Sequence, residues 1–427
     1  MRHLDKLLSR MSKVDILRNM AILVSGSALA QLIGVLAAPA LSRIYSPEDF
    51  GVLGMLIAIT GVIAVVGSLK YETALVIEED DSNADSLQSL CLLILVIVTL
   101  LSTFGLWIAS ARYSNTSGSE LAHILPWGGT IIFLSGLNNI FSFRLNRERK
   151  YKVIASASVL RKISTVVVQI LLGFLSIATF GLVVGTILGL LVCILVLLPS
   201  IKSLTTEIWV PLQKMKLAAA KHYRFALFSA PQNIMNVLSR NVPVFMLGAF
   251  FSVGVVGSYY FCMAILQLPG ALVRNSVRQV FYKEAAVLIK EDPKKLLRLF
   301  RNTTAGLSTL AIPMILIIFV FGPFLFPTIF GEEWHQAGVF SRWMILWVGV
   351  SLINPPAVAL YNVLGLQKIF AIYDLLLLTF RISALSIGGL FCGVIGAVII
   401  YSIVGVVFNL FLVVHIGSHL LRIQTEK

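Results

Sequence analysis

Residues 156–180 read SASVLRKISTVVVQILLGFLSIATF, almost all hydrocarbon, yet four polar side chains recur within them at helical spacing. Ser158, Arg161, Thr165 and Gln169 follow one another at three, four and four residues, which places them on one face of an α-helix. The pattern returns in other apolar stretches. Ser229, Asn233, Asn236 and Arg240 form a second stripe; Tyr260, Gln267, Arg274 and Arg278 form a third; Asn138 and Asn139 sit with Ser135 and Ser142; Asp374 and Arg381 lie two turns apart. Guanidinium groups grip phosphate oxygens in a bidentate fork, while amides and aromatic faces suit sugars. Stripes of this composition therefore fit an anionic, hydroxyl-rich cargo: a phosphorylated glycan.

The elements that must carry these stripes are membrane helices. Of 427 residues, 58% are hydrophobic and only 13% charged, with a mean hydropathy of +0.91. Soluble domains are about a quarter charged. Apolar runs near 20 residues, enough to cross roughly 30 Å of hydrocarbon, recur along the whole chain. They fall near 20–41, 50–69, 88–108, 123–143, 153–176, 178–199, 227–250, 254–274, 303–325, 339–360, 370–390 and 393–414. The expected fold is all-α and integral to the membrane: twelve transmembrane helices in two six-helix bundles related by a parallel pseudo-two-fold, around a central cavity. Asn354 before Pro355-Pro356 marks a helix break, and Gly181, Gly185 and Gly189 form a small-residue ridge for close packing against a neighbouring helix. Spans three, six, nine and twelve lack polar stripes and are expected to face lipid. Cys91, Cys193, Cys262 and Cys392 are scattered through apolar runs, which indicates neither a disulfide framework nor a zinc site.

Charge sets the orientation. Residues 1–20, 144–152 and 200–226 carry five Lys or Arg each, and residues 274–301 carry eight. With Lys70, Lys368, Arg422 and Lys427 they make 27 of 34 on one side, against Arg43, Arg112 and Arg342 on the other. The positive-inside rule then puts both termini in the cytoplasm. The net charge of +14 is a signal of topology and anionic lipid, with no folded module for nucleic acid. The acidic run Glu78-Glu79-Asp80-Asp81 reads as a solvated turn. At an offset of 206 residues, Arg18 falls on Arg224, Ser46 on Ser252 and Gly51 on Gly257, so SPEDFGVLGMLIAI overlies SVGVVGSYYFCMAI. The expected domains are a six-helix bundle over 1–200, a basic cytoplasmic linker over 201–226, and a second six-helix bundle over 227–427.

Four cations (Arg161, Lys162, Arg240 and Arg381) face one acid, Asp374, within the spans. Each costs about 2.5–3.5 kcal/mol at mid-membrane even on lenient insertion scales. Lining a hydrated interior is one way to relieve that cost. Arg161 has another, since it lies about 12 Å along its helix from Val153 and can snorkel to the surface. Lys162 points about 100° away from Arg161, so only one of the two need face the interior.

The opening third resembles the start of bacterial polysaccharide flippases of the Wzx type, in the multidrug/oligosaccharidyl-lipid/polysaccharide (MOP) exporter superfamily. LSRIYSPEDFG at 41–51 and SLKYETALV at 68–76 carry the likeness, and the basic connection RLNRERKYK matches in layout. The resemblance implies a flippase of the bacterial inner membrane, moving undecaprenyl-pyrophosphate-linked repeat units by alternating access for O-antigen, capsule or exopolysaccharide synthesis. It implies that Arg161, Arg240 and Arg381 engage the cargo, with Lys70, Arg274 and Arg278 near the cytoplasmic mouth. Asp374 and Glu72 are the carboxylates available for coupling to H⁺ or Na⁺. The expected partners are the lipid-linked oligosaccharide, membrane lipids, and the polysaccharide polymerase and chain-length machinery; no cofactor and no enzymatic activity are expected. A cation-coupled drug or metabolite antiporter of the same superfamily would need buried carboxylates where this interior is cationic. A membrane glycan polymerase or ligase would need a large periplasmic loop, and ARYSNTSGSELAH and GEEWHQAG are short.

Overall fold

The structure, a computed structural model, describes residues 13–117, 120–201 and 210–425, and these are helical nearly throughout, with no strand among them. In chain order the helices are α1 (Lys13–Ile44), α2 (Pro47–Ala64), the short α3 (Tyr71–Ala74), α4 (Asp81–Ser117), α5 (Gly128–Arg147), α6 (Tyr151–Phe174) and α7 (Ala178–Leu197). There follow α8 (Leu212–Lys221), α9 (Ala230–Phe250), α10 (Val253–Leu266), α11 (Leu268–Glu291), α12 (Pro293–Phe330), α13 (His335–Ile353), α14 (Pro355–Val363), α15 (Gln367–Ile387) and α16 (Gly393–Thr425).

Ten helical stretches among the described residues are long and apolar enough to cross a membrane. One of them, Gln367–Gln424, holds two helices, α15 and α16, separated by a π-helical turn and by Gly393 at φ 67°. Helix α9 completes the set at 21 residues; its polar stripe is what lowers its hydropathy. The described residues thus contain the twelve crossing helices that the sequence leads one to expect, in a multi-pass membrane protein.

Several helices outrun the hydrocarbon. Helix α4 has 37 residues and α12 has 38. The basic stretch 275–302, read from sequence as a connection, is instead the meeting of α11 and α12. Asp292 breaks the two with an extended backbone and caps α12 by accepting from the Lys295 amide (3.0 Å). Helix α2 stops at Ala64, earlier than hydropathy alone implies, and residues 65–70 turn into α3. The break at Asn354 falls where Pro355 denies α13 its next backbone hydrogen bond.

The chain divides into two compact units. One comprises Met1–Tyr45 and Val52–Asn241; the other comprises Ser46–Gly51 and Val242–Lys427. In the first, α6 packs against α1 and α7, and α4 against α5 and α8. The glycine ridge of α7 receives α6: a Cβ on Gly185 would strike Gln169, and one on Gly189 would strike Thr165. In the second unit, Phe50 joins Phe261, Phe330 and Trp334 in an aromatic core, with Trp334 fully buried. The offset of 206 residues reappears there as a reciprocal contact. A Cβ on Gly51 would collide with the Val253 carbonyl, and one on Gly257 with the Pro47 carbonyl, so each helix start rests on the glycine of the other.

Candidate functional site

The α6 stripe is where the sequence placed most of its weight, and packing has consumed much of it. Gln169 is buried; its side-chain amide donates to the Leu182 carbonyl on α7 (3.0 Å), and its backbone carbonyl accepts from the Tyr45 hydroxyl (2.7 Å). Thr165 donates back to the Arg161 carbonyl (2.8 Å) and lies against Gly189. The face carrying these residues is therefore the one seated on the α7 ridge. Span six, expected at the lipid, is over half buried in its most apolar window. Arg161 is half-buried, and the Lys162 stem crosses Gly34 of α1, where a Cβ would come within 2.7 Å of Cε.

A second cluster brings together residues that the sequence treated separately. Glu72 is only 1% exposed. One of its oxygens accepts from Ser68 Oγ (2.5 Å); the other accepts from Asn139 Nδ2 (3.3 Å) and pairs with Lys70 Nζ (3.3 Å). The turn that delivers Lys70 uses two consecutive left-handed residues, Leu69 at φ 48° and Lys70 at φ 64°. Neither is glycine, so the turn is held against local preference by its surroundings. A carboxylate with three donors is satisfied where an isolated one would not be. Next to Asn139, the half-buried Asn138 accepts from Cys193 Sγ of α7 (3.2 Å).

The acidic run is more than a solvated turn. Glu78 is buried and accepts from Lys221 Nζ (2.7 Å) and bonds to His222 Nε2 (2.7 Å), which ties α8 to the start of α4. Burial alone would raise its carboxyl, but the hydrogen bonds from Lys221 and His222 and the lysine charge outweigh it and hold Glu78 at about 2. Asp81 pairs with Arg147 (2.5 Å), whose hydrogen bond also holds that carboxyl below its ordinary range. Arg144 is shared between Asp85 (2.8 Å) and Glu148 (3.1 Å). No sequence signal joins Glu78 to Lys221, because 143 residues separate them.

The remaining expected residues are dispersed. On α9, Asn233 is half-buried while Asn236 and Arg240 are exposed; on α10, Tyr260 is half-buried, and Gln267 just beyond it is exposed. Asp374 is half-buried on α15. The side chains of Arg274 and Arg278 lie outside the described residues.

In the second unit Arg381 is 8% exposed, and no carboxylate among the described residues lies within salt-bridge distance of it. Its guanidinium carbon sits 5.4 Å from the Trp347 ring centroid and 5.3 Å from that of Tyr401. Two ring faces thus supply the negative potential that an acid would otherwise provide. Its Nε and the neighbouring Trp347 Nε1 are buried without a hydrogen-bond partner among the described residues.

Two compact units built of membrane helices form a fold that solved structures share. The chain matches an inward-facing MATE family multidrug resistance transporter of the MOP superfamily over 94% of its length and 95% of that chain, at 15% identity and a TM-score of 0.68. It matches the lipid II flippase MurJ, in an inward closed conformation, over 92% of this chain and 87% of that one, at 16% identity and a TM-score of 0.71. The fold is that of the MOP superfamily. Within it, the profile of a family described as polysaccharide biosynthesis protein matches residues 40–338, and the chain belongs to that family. The succinoglycan biosynthesis transport protein ExoT of Rhizobium meliloti (strain 1021) is 21% identical over 300 residues, which is 70% of this chain and 59% of that protein. The chain thus spans about three fifths of the length of that curated relative. The likeness that LSRIYSPEDFG and SLKYETALV carry is borne out at the level of the family, and the fold is the one those solved structures share.

Proposed function

We propose that the protein is a flippase that carries an undecaprenyl-pyrophosphate-linked oligosaccharide repeat unit across the bacterial inner membrane by alternating access, for surface polysaccharide synthesis. The observation that carries this reading is the charge imbalance within the membrane helices, where Arg161, Lys162, Arg240 and Arg381 stand against the single acid Asp374. An interior with surplus guanidinium groups attracts a pyrophosphate and repels the cationic compounds that a drug antiporter moves. Family membership supports the same reading, as does the likeness to ExoT, a protein named for succinoglycan biosynthesis transport.

Arg240, exposed on α9 with Asn233 and Asn236 on the same face, is the residue to meet the phosphates, while Arg161 and Arg381 act from more enclosed positions. Tyr260 and Gln267 offer contacts to the glycan. Glu72 and Asp374 are the groups for coupling to H⁺ or Na⁺. Both termini face the cytoplasm, and the polymerase and chain-length machinery receive the product.

The test is complementation of a deletion strain. Arg240→Ala is expected to abolish surface glycan and to accumulate lipid-linked repeat units, with normal amounts of protein in the membrane by immunoblot. Unchanged surface glycan would remove Arg240 from the site, and accumulation of a cationic solute instead would overturn the flippase reading.

A further inference from the structure

A groove of about 560 Å³ runs along the seam of α1 and α6 within the first unit. Ile22, Ser25, Leu29 and Leu32 of α1 form one wall; Ala155, Ser156 and Val159 of α6 form the other, with Lys152 at one end. Gly26 makes the floor, because the helices approach so closely that a Cβ there would lie 2.6 Å from that of Ala155. The two wall serines turn their hydroxyls onto their own helices, Ser25 to the Ile22 carbonyl and Ser156 to the Val153 carbonyl, each at 3.0 Å. The walls therefore present hydrocarbon, and Lys152 stands at the shallow end.

That end is unusual among its neighbours. In the run RLNRERKYK, Arg144 pairs with Asp85 and Glu148, Arg147 with Asp81, and Lys150 with Glu148. Lys152 is exposed and pairs with no carboxylate among the described residues. It also stands one residue inside the start of α6, at the level where a helix enters the membrane. From Ile22 to Leu32 the α1 wall extends about 15 Å at 1.5 Å per residue, half of a roughly 30 Å hydrocarbon core. At the deep end the Lys162 stem lies across Gly34 and closes the seam.

We propose that this groove binds one anionic phospholipid of the bilayer, with an acyl chain along the α1–α6 seam and its phosphodiester on Lys152. Length selects the lipid of a single leaflet. Charge selects a headgroup with one negative charge, because Lys152 is the one lysine among the described residues at the shallow end, with Lys162 about 15 Å further along α6, whereas a pyrophosphate calls for more than one cation at the same level. The assignment is independent of what the protein transports.

Native mass spectrometry of the full-length protein, delipidated and then offered phosphatidylglycerol or phosphatidylcholine, tests it. The wild type is expected to retain one phosphatidylglycerol in preference to phosphatidylcholine. Lys152→Gln is expected to weaken retention about fivefold, the ~1 kcal/mol that one lysine contributes at an anionic surface. Ser156→Phe, which fills the seam, is expected to abolish retention. Lys214→Gln, on an exposed lysine of α8 outside the groove, is expected to leave retention unchanged, and the thermal midpoint of each variant shows that it is folded. Equal retention by Lys152→Gln and wild type, or equal retention of the two phospholipids, overturns the proposal. So does displacement of phosphatidylglycerol by an equal amount of undecaprenyl phosphate, which would give the groove to the cargo's carrier lipid.

Discussion

In the first unit the buried ions are held by ions of opposite sign: Glu72 by Lys70, Glu78 by Lys221 with a further hydrogen bond to His222, Arg144 by Asp85 and Glu148. In the second, Arg381 rests on the faces of Trp347 and Tyr401, and buried polar contacts among the described residues include neutral ones, such as Asn354 donating to Asn409 and the Tyr361 hydroxyl meeting His415 (2.8 Å). The difference lies in what remains when one partner is removed. Deleting one member of an ion pair strands a charge in low dielectric, whereas deleting a cation that rests on two rings strands no charge.

That distinction is measurable. Glu72→Ala is expected to cost about 3–5 kcal/mol, because Lys70 and the Asn139 amide lose their shared acceptor in a buried site. Thermal unfolding in detergent reads it, with Glu72→Gln recovering part of the loss by keeping the hydrogen bonds. Arg381→Met is expected to cost about 2 kcal/mol, the scale of a desolvated cation–π contact, since among the described residues no anion is left behind. If Arg381→Met destabilises as much as Glu72→Ala, the aromatic pocket hides an electrostatic partner and the contrast fails. On the proposal that Arg381 engages the cargo, Arg381→Met is expected to lose export even where the protein stays folded.

The two regions also differ in how far the sequence discloses them. The crossing helices, the break at Pro355, and the α7 ridge with its need of a close neighbour are all legible, because each depends on residues near in sequence. The repeat at 206 residues was weak as a match of letters, yet Gly51 and Gly257 turn out to be the positions where helix starts touch. Periodicity also put Arg161, Thr165 and Gln169 on one face of α6, but a face has no address until its neighbour is known. Here that neighbour is α7, and Gln169 is spent on the Leu182 carbonyl. Partners from distant helices were illegible for the same reason. The rings around Arg381 come from α13 and α16, and the base that seats Glu78 comes from α8.

Glu78 permits the finest test of the contrast, through pH and through its two partners. Its folded carboxyl lies near 2, below the ordinary value of 4.5, so its contribution is present above pH 4.5 and fades as pH falls towards 2. Hydrogen exchange at the α8 amides, residues 212–221, should therefore show protection that does not change through loss of the Glu78 charge between pH 5 and 8, and that loosens only in acid. Glu78→Gln should shift the loosened behaviour to neutral pH. Of the two partners, Lys221 is more than half exposed and His222 only 11% exposed. A solvent-screened lysine contributes little, so Lys221→Ala should cost less than about 1 kcal/mol. His222→Ala should loosen α8 further, because it opens a buried hydrogen bond to the same carboxylate. The reverse order would mean that at Glu78 the lysine charge, more than the histidine hydrogen bond, ties α8 to α4. Met215 and Ala218, the buried residues of α8, would then have to supply the rest of its attachment.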